Sequence, residues 1–179
     1  EAHARYFNYS SRSHRQRLAD VDSLVIKTAF FSNSWGAYRL SALREVGGIP
    51  ADALCSEDYH VTGRLLEAGY EIAYAADARV WHSHDMTIAT EFRRYFDVGV
   101  FHAKEPWILE RFGGASGEGR RFVAAEFSYL LGKAPLRIPE ALLRSGLKYL
   151  AYRLGRSHRA LPEKLVARLT AHPEYWQQT

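Results

Sequence analysis

Two acidic residues, Glu57 and Asp58, stand side by side after a loop and open a run with helical spacing. A carboxylate so placed can face an open pocket and take the proton of an attacking hydroxyl that comes within hydrogen-bond reach. The same pair would equally serve only to complement the positive end of a helix dipole. Further on, a strand-like run ends in His82-Ser83-His84-Asp85, and strand alternation places His82 and His84 on one side, close enough to share a metal. A closed zinc centre needs four ligands, so these residues are either part of a larger set, as in a metal hydrolase, or ordinary hydrogen-bonding side chains. Arg93 and Arg94 lie on the next expected helix and offer a guanidinium fork for phosphate, although adjacent helical residues point apart and at most one of them faces a given site.

Other reactive types read as structural. Cys55 has a helix start beside it, which favours a thiolate, but Glu57 and Asp58 disfavour one, and a plain thiol is expected. Gly113, Gly114, Gly117 and Gly119 lack the Lys-Ser/Thr ending and preceding strand of a phosphate loop and read as a linker. Tyr6, Phe7 and Tyr9 follow no RNA-reading strand pattern, so nucleic acid is not an expected partner.

Short strands and helices must position these groups. Residues 1–28 have little periodicity and read mostly as loop, with a helix near the start. Strands are expected at Phe30–Ser32 and Ala37–Arg39, followed by a helix capped by Ser41 and stopped by Gly47, Gly48 and Pro50. A loop from Ile49 to Cys55 leads to a helix capped by Ser56 and closed by Gly69. Strands Tyr70–Ala75 and Ala78–Trp81 flank an Ala76-Asp77 turn, and Thr87 starts a helix with Ile88, Phe92, Tyr95 and Phe96 on one side, running to about His102. Phe122, Glu126 and Leu130 mark a further helix. From Pro139 to Gly155, Leu143, Leu147, Leu150 and Leu154 form one stripe while Arg144, Lys148 and Tyr152 take another face. Pro162 opens a last helix with Leu161, Leu165 and Leu169 in line. The whole reads as an α/β layer of short mixed strands followed by an amphipathic helical tail, divided into residues 1–119 and 120–179.

Composition sets the bounds. With 47% hydrophobic and 25% charged residues, 13 Gly and 6 Pro in 179 positions, the chain is an ordinary packed domain, not a disordered, collagen-like or low-complexity one. A single cysteine excludes a disulfide framework and suits a reducing compartment. Apolar runs fall far short of the ~20 residues that span a bilayer, and no leader peptide is expected. Charge is uneven: 13 Lys+Arg against 16 Asp+Glu up to Gly119 give −3, whereas 11 against 4 afterwards give +7. Such an end suits either solvated helix packing or an anionic membrane surface. The chain opens on Glu1, without Met, and is expected to be a piece of a longer protein.

The order of these clusters carries more than any one of them. FFSNSWGAYRLSALREVGGIP, then SEDYHVTGRLLEAGYEIAYAADARVWHSH, then FRRYFDVGVFHA, resembles the C-terminal half of a family 2 glycosyltransferase of GT-A type, and is most similar to bacterial rhamnosyltransferases of cell-surface polysaccharide synthesis. The likeness runs on through EGRRFVAAEFSYLL and LKYLAYRLGRSHRALPEKL to HPEYW, nearly the whole chain. It implies an inverting transferase in which Asp58 is the general base and Glu57 its neighbour and acceptor contact. His82 would complete the coordination of a divalent cation (Mg or Mn) on the donor diphosphate, with His84 a second candidate. Asn33, Trp35 and Arg39 would line the sugar and acceptor side, and Arg93 or Arg94 would hold the leaving diphosphate. The implied partners are a nucleotide diphosphate sugar, dTDP-rhamnose, and a glycan or lipid-linked glycan acceptor, with the basic tail resting on the inner face of the plasma membrane of a cytoplasmic enzyme.

Departures from the family pattern shape the expectation. No Asp-x-Asp metal motif and no nucleotide-binding half occur in these residues, so the chain alone is expected to be inactive and to expose the apolar sheet edge and face that the other half would cover. Two other readings remain: a family 2 transferase for another hexose carried on uridine diphosphate, and a non-catalytic module that docks on a membrane or partner and uses Glu57, Asp58 and His82 only structurally.

Overall fold

The computed structural model describes residues 3, 7–81, 86–114 and 116–177. His82, His84 and Asp85, expected at the site, lie outside these residues. Strand β1, His14–Gln16, is followed by the helical turn α1, Val21–Leu24, and then by helices α2, Leu40–Glu45, and α3, Glu57–Glu67. Strand β2, Ile72–Tyr74, precedes α4, Ile88–Lys104, and α5, Pro106–Phe112. The last helices are α6, Ser116–Lys133, α7, Ile138–Arg156, and α8, Glu163–Leu169.

The helices start and stop for local reasons. Thr87 begins α4 by accepting the Thr90 N–H on its hydroxyl at 3.1 Å. Gly48 ends α2 and Gly69 ends α3, both at positive φ (81° and 88°), with Gly48 N–H donating to Leu43 O and Tyr70 N–H to Leu65 O. Arg39, one residue before α2, occupies the cap position expected of Ser41.

Fewer strands form than the sequence suggests. Phe30–Ser32 is extended but unpaired, Asn33–Trp35 is a single 3-10 turn, and Ala37–Arg39 is irregular. The reason is α3: the buried Thr62 hydroxyl donates to Ala29 O at 2.8 Å and draws this segment onto the helix instead of into a sheet. Ala78–Trp81 forms no strand either, because β2 takes its partner from the expected loop, β1, in antiparallel register with His14 opposite Tyr74 and Gln16 opposite Ile72. Ser13 Oγ accepts the Ala76 N–H at 2.9 Å and closes that ladder before the chain can return. Among the described residues the α/β layer is therefore one two-stranded sheet in a largely helical molecule.

Helix α4 is the spine. Phe101 joins a core of Ala29, Leu66, Ile72, Ile108 and Phe112, while Phe96 and Val100 join a second with Leu54, Ala151 and Val166. Its main neighbour is α7, and the two backbones approach so closely that a Cβ on Gly99 would strike Tyr152 O and one on Gly155 would strike Phe96 O. That approach decides which face of α7 turns inward. Ala151 and Gly155 are buried there, and Arg144 and Lys148 reach Glu91 of α4 at 2.8 and 3.0 Å. The face with Arg144 and Lys148 is thus a packed one, because small residues fit the crossing and the half-buried Glu91 needs cations. The leucine stripe is split: Leu154 packs on the second core, whereas Leu143 and Leu150 are exposed.

The tail is tied into the rest. Asp97 of α4, buried, accepts the Thr170 hydroxyl at 2.6 Å and the Ala171 N–H at 2.9 Å. Only part of the glycine-rich stretch is the expected linker: Gly113 and Gly114 lie between α5 and α6, but Gly117 and Gly119 lie within α6, whose Glu118 pairs with Lys27 at 3.2 Å. The division expected after Gly119 falls inside the same helix. No helix among the described residues is long and apolar enough to cross a membrane.

Candidate active site

The start of α3 is built around a strained residue. Ser56 sits in the left-handed region at φ 58°, a conformation uncommon outside glycine, and makes no side-chain cap of its own. Its carbonyl accepts the N–H groups of Tyr59 and His60, so the first turn closes tightly behind Glu57 and Asp58. Thr62, one turn on, bonds Asp58 O at 2.6 Å as well as Ala29 O, and thereby fixes the helix start against the segment that carries Asn33.

Both carboxylates are held from that segment. Asn33 donates its side-chain amide to Glu57 Oε1 at 2.9 Å and receives the Tyr38 hydroxyl on Oδ1 at 2.8 Å. Asp58 Oδ1 accepts the Tyr59 N–H at 2.9 Å. Burial pushes the Asp58 carboxyl above its ordinary range, and the Glu57 charge adds to this, against the backbone N–H groups of Tyr59 and Asn33, which favour the anion. A carboxylate short of solvent but kept in place by two N–H groups is a stronger base than a free one. Tyr38 was not among the candidates from sequence. Burial, then the charges of Asp58 and Glu57, raise its phenol to about 12, so it stays a neutral donor facing both acids. The only signal available was its place in the WGAYR stretch, between Trp35 and Arg39.

The remaining candidates scatter. Trp35 is 65% exposed beside the Asn33 turn, and Trp81, just before the undescribed residues, is 97% exposed. Arg39 acts electrostatically on Tyr70, whose hydroxyl bonds Glu45 at 2.6 Å, away from the carboxylate pair. Arg93 and Arg94 part company, as adjacent helical residues must. Arg93 lines an open groove of about 420 Å³ with Ile88, Ala89, Phe92, Arg168 and Leu169, whereas the Arg94 charge favours the Cys55 thiolate. Burial, with Asp97 and Glu57, pushes the Cys55 thiol up to about 12, against Ser56 and Arg94, so it is an unreactive thiol, as expected.

Metal-ligating capacity is partial. No group of three or more His, Cys, Asp or Glu among the described residues is arranged to hold an ion. Glu57 and Asp58 are adjacent carboxylates, each with an oxygen committed to a protein N–H, and so do not by themselves fit a divalent cation.

A family described as glycosyl transferase family group 2 matches residues 5–95, a span that holds the whole Asn33–Asp58 network and both arginines of α4. The chain is 48% identical over 174 residues to the O-antigen chain rhamnosyltransferase RfbN of Salmonella typhimurium, and 47% identical over 174 residues to the O-antigen chain rhamnosyltransferase WbaN of Salmonella anatum. Each match covers 97% of this chain and 55% of the relative, so the chain spans about half the length of these proteins. No solved structure matches it.

Proposed function

The chain belongs to the group 2 family of glycosyl transferases, and from that premise we propose that the complete protein is an inverting rhamnosyltransferase of bacterial surface-polysaccharide synthesis. This chain supplies its acceptor side. The observation that carries the reading is the desolvated Asp58 at the start of α3, its neighbour Glu57 fastened by Asn33, which in turn accepts the Tyr38 hydroxyl. The rhamnosyltransferase names of the two relatives support the choice of sugar.

In the proposed reaction an acceptor hydroxyl gives its proton to Asp58 while its oxygen attacks the anomeric carbon on the face opposite the nucleotide. The bond from that carbon to the diphosphate breaks with its electron pair, and the nucleoside diphosphate leaves as the anion. Glu57 and Asn33 orient the acceptor, Trp35 offers an apolar platform for a sugar ring, and Arg94, whose charge is felt at Cys55 two residues before Glu57, steadies the departing diphosphate. Arg39 and Arg93 are the weaker members of that set: Arg39 acts on Tyr70, and Arg93 lines the groove with Arg168 and Leu169. The donor is dTDP-rhamnose and the acceptor a glycan or lipid-linked glycan at the cytoplasmic face of the plasma membrane. A divalent cation, magnesium or manganese, belongs to the proposal: when bound it neutralises charge on the donor diphosphate, and His82, with His84 as the second candidate, is the side chain of this chain proposed to reach it. Its carboxylate ligands are proposed to come from the further length of the complete protein, which also covers the exposed Trp35, Leu40 and Trp81. This chain alone is proposed to be inactive.

A donor screen with the complete protein and a lipid-linked glycan acceptor tests the reading. Transfer from dTDP-rhamnose, with inversion at the anomeric carbon, is the expected result. Transfer only from uridine diphosphate hexoses would overturn the choice of sugar, and donor hydrolysis without glycan product would overturn the acceptor role.

A further inference from the structure

Among the described residues, the side of α7 that faces away from α4 is covered only in part, by α6. Leu142, Leu143, Tyr149 and Leu150 recur there at helical spacing and are 49–61% exposed. Phe127 and Leu130 of α6 line one shallow cleft with Ile138 and Leu142, so the two helices share this surface, and Leu136 in their connection is 95% exposed. Apolar side chains gathered like this mark a contact surface rather than a solvated one.

The charges around it indicate the contact. Exposed Lys133 and Arg137 stand at the α6–α7 connection, and exposed Arg153 on α7 donates to the Tyr149 hydroxyl at 3.0 Å. Residues 120–179 carry 11 Lys+Arg against 4 Asp+Glu. Of the acids near the face, Glu126 lines the cleft, and Glu140 is engaged by Arg137 at 3.1 Å and Arg144 at 3.0 Å. We infer that this α6–α7 face docks on the anionic surface of a lipid bilayer, with Leu136, Leu142, Leu143 and Leu150 entering the acyl boundary and Lys133, Arg137 and Arg153 meeting headgroup phosphates. The leucines project from a helix surface instead of lining a deep groove, the tyrosine sits at headgroup level, and the long cationic side chains reach outward from an apolar base. Arg144 and Lys148 take no part, being largely covered and committed to half-buried Glu91, whereas Arg137 pairs with Glu140 at the surface, where its exposed guanidinium still meets solvent. The inference goes beyond the transfer reading and stands without it.

Sedimentation of the complete protein with vesicles tests it, using phosphatidylcholine alone and phosphatidylcholine with about one-third phosphatidylglycerol. Binding to the anionic vesicles is expected, weakened by salt, and reduced by about tenfold or more in the double variant Leu143→Glu/Leu150→Glu. The triple variant Lys133→Gln/Arg137→Gln/Arg153→Gln should lose the preference for anionic lipid. All five positions are at the surface, so an unchanged thermal midpoint separates lost docking from lost fold. Three results would overturn the inference: no binding by the parent protein, equal binding by the leucine variant, or self-association in sedimentation velocity that the leucine variant abolishes without any vesicle binding.

Discussion

Asn33 ties the site together at the residue scale: one amide holds Glu57, its carbonyl oxygen takes Tyr38, and its backbone N–H favours the Asp58 anion. Asn33→Ala removes the first two links and frees both Glu57 and the half-buried Tyr38 phenol from their fixed positions, so kcat of the complete protein is expected to fall by about ten- to a hundredfold in a steady-state transfer assay. The pH dependence follows from the same network. A base must be deprotonated to act, so with the Asp58 carboxyl raised by burial and by Glu57, the acid limb of kcat/KM lies above the ordinary carboxylate value of about 4. Glu57→Gln removes a charge that raises it, and the limb should move to lower pH; a limb that stays in place would mean the two carboxylates are uncoupled. Glu57, Asp58 and Asn33 could be named from the sequence through the family resemblance, and the fold brings Asn33 onto Glu57. Tyr38 could not, because only the fold of the Asn33 turn brings it over the acids.

Elements explain both what could and what could not be read. The helix ends at Gly48, Gly69 and Thr87 follow rules written in three or four residues, and the sequence carried them. The strands failed because pairing is a long-range choice: Ala29 was claimed by Thr62 and β2 by a partner nearly sixty residues earlier, in text with no strand pattern. The inward face of α7 was misread for a related cause. Periodicity finds two faces but not the neighbour, and here Glu91 and the glycine crossing select the polar one. Gly155→Ala sets a methyl group against the Phe96 carbonyl, where backbone has nowhere to move, and should cost about 3 kcal/mol or more in a urea titration. An alanine at exposed Gly146, with open space around it, should cost nothing and serves as the control.

The whole molecule responds to acid through buried histidines, His102 and His158, both lowered by burial, with His102 the larger case. His102 on α4 is 5% exposed, and burial, then Arg156, lowers it from 6.5 to about 4. In the unfolded chain it takes a proton near pH 6.5 that the folded chain refuses, so stability present above that pH is lost as pH falls toward 4, up to about 3 kcal/mol. Half-buried Asp58 and buried Asp97, both raised, work in the opposite direction, and the contribution is therefore read as the difference in unfolding free energy between the parent and His102→Gln across that window. Activity also belongs to this scale, since about half the length of the relatives lies outside this chain. The central claim is that Asp58 removes the acceptor proton. The most direct measurement is the single-turnover rate of rhamnosyl transfer by the complete protein carrying Asp58→Asn, with its urea midpoint recorded alongside. A fall of about a thousandfold with the midpoint unchanged is the expected result, as removal of a general base requires. A rate within a factor of about three of the parent would contradict it.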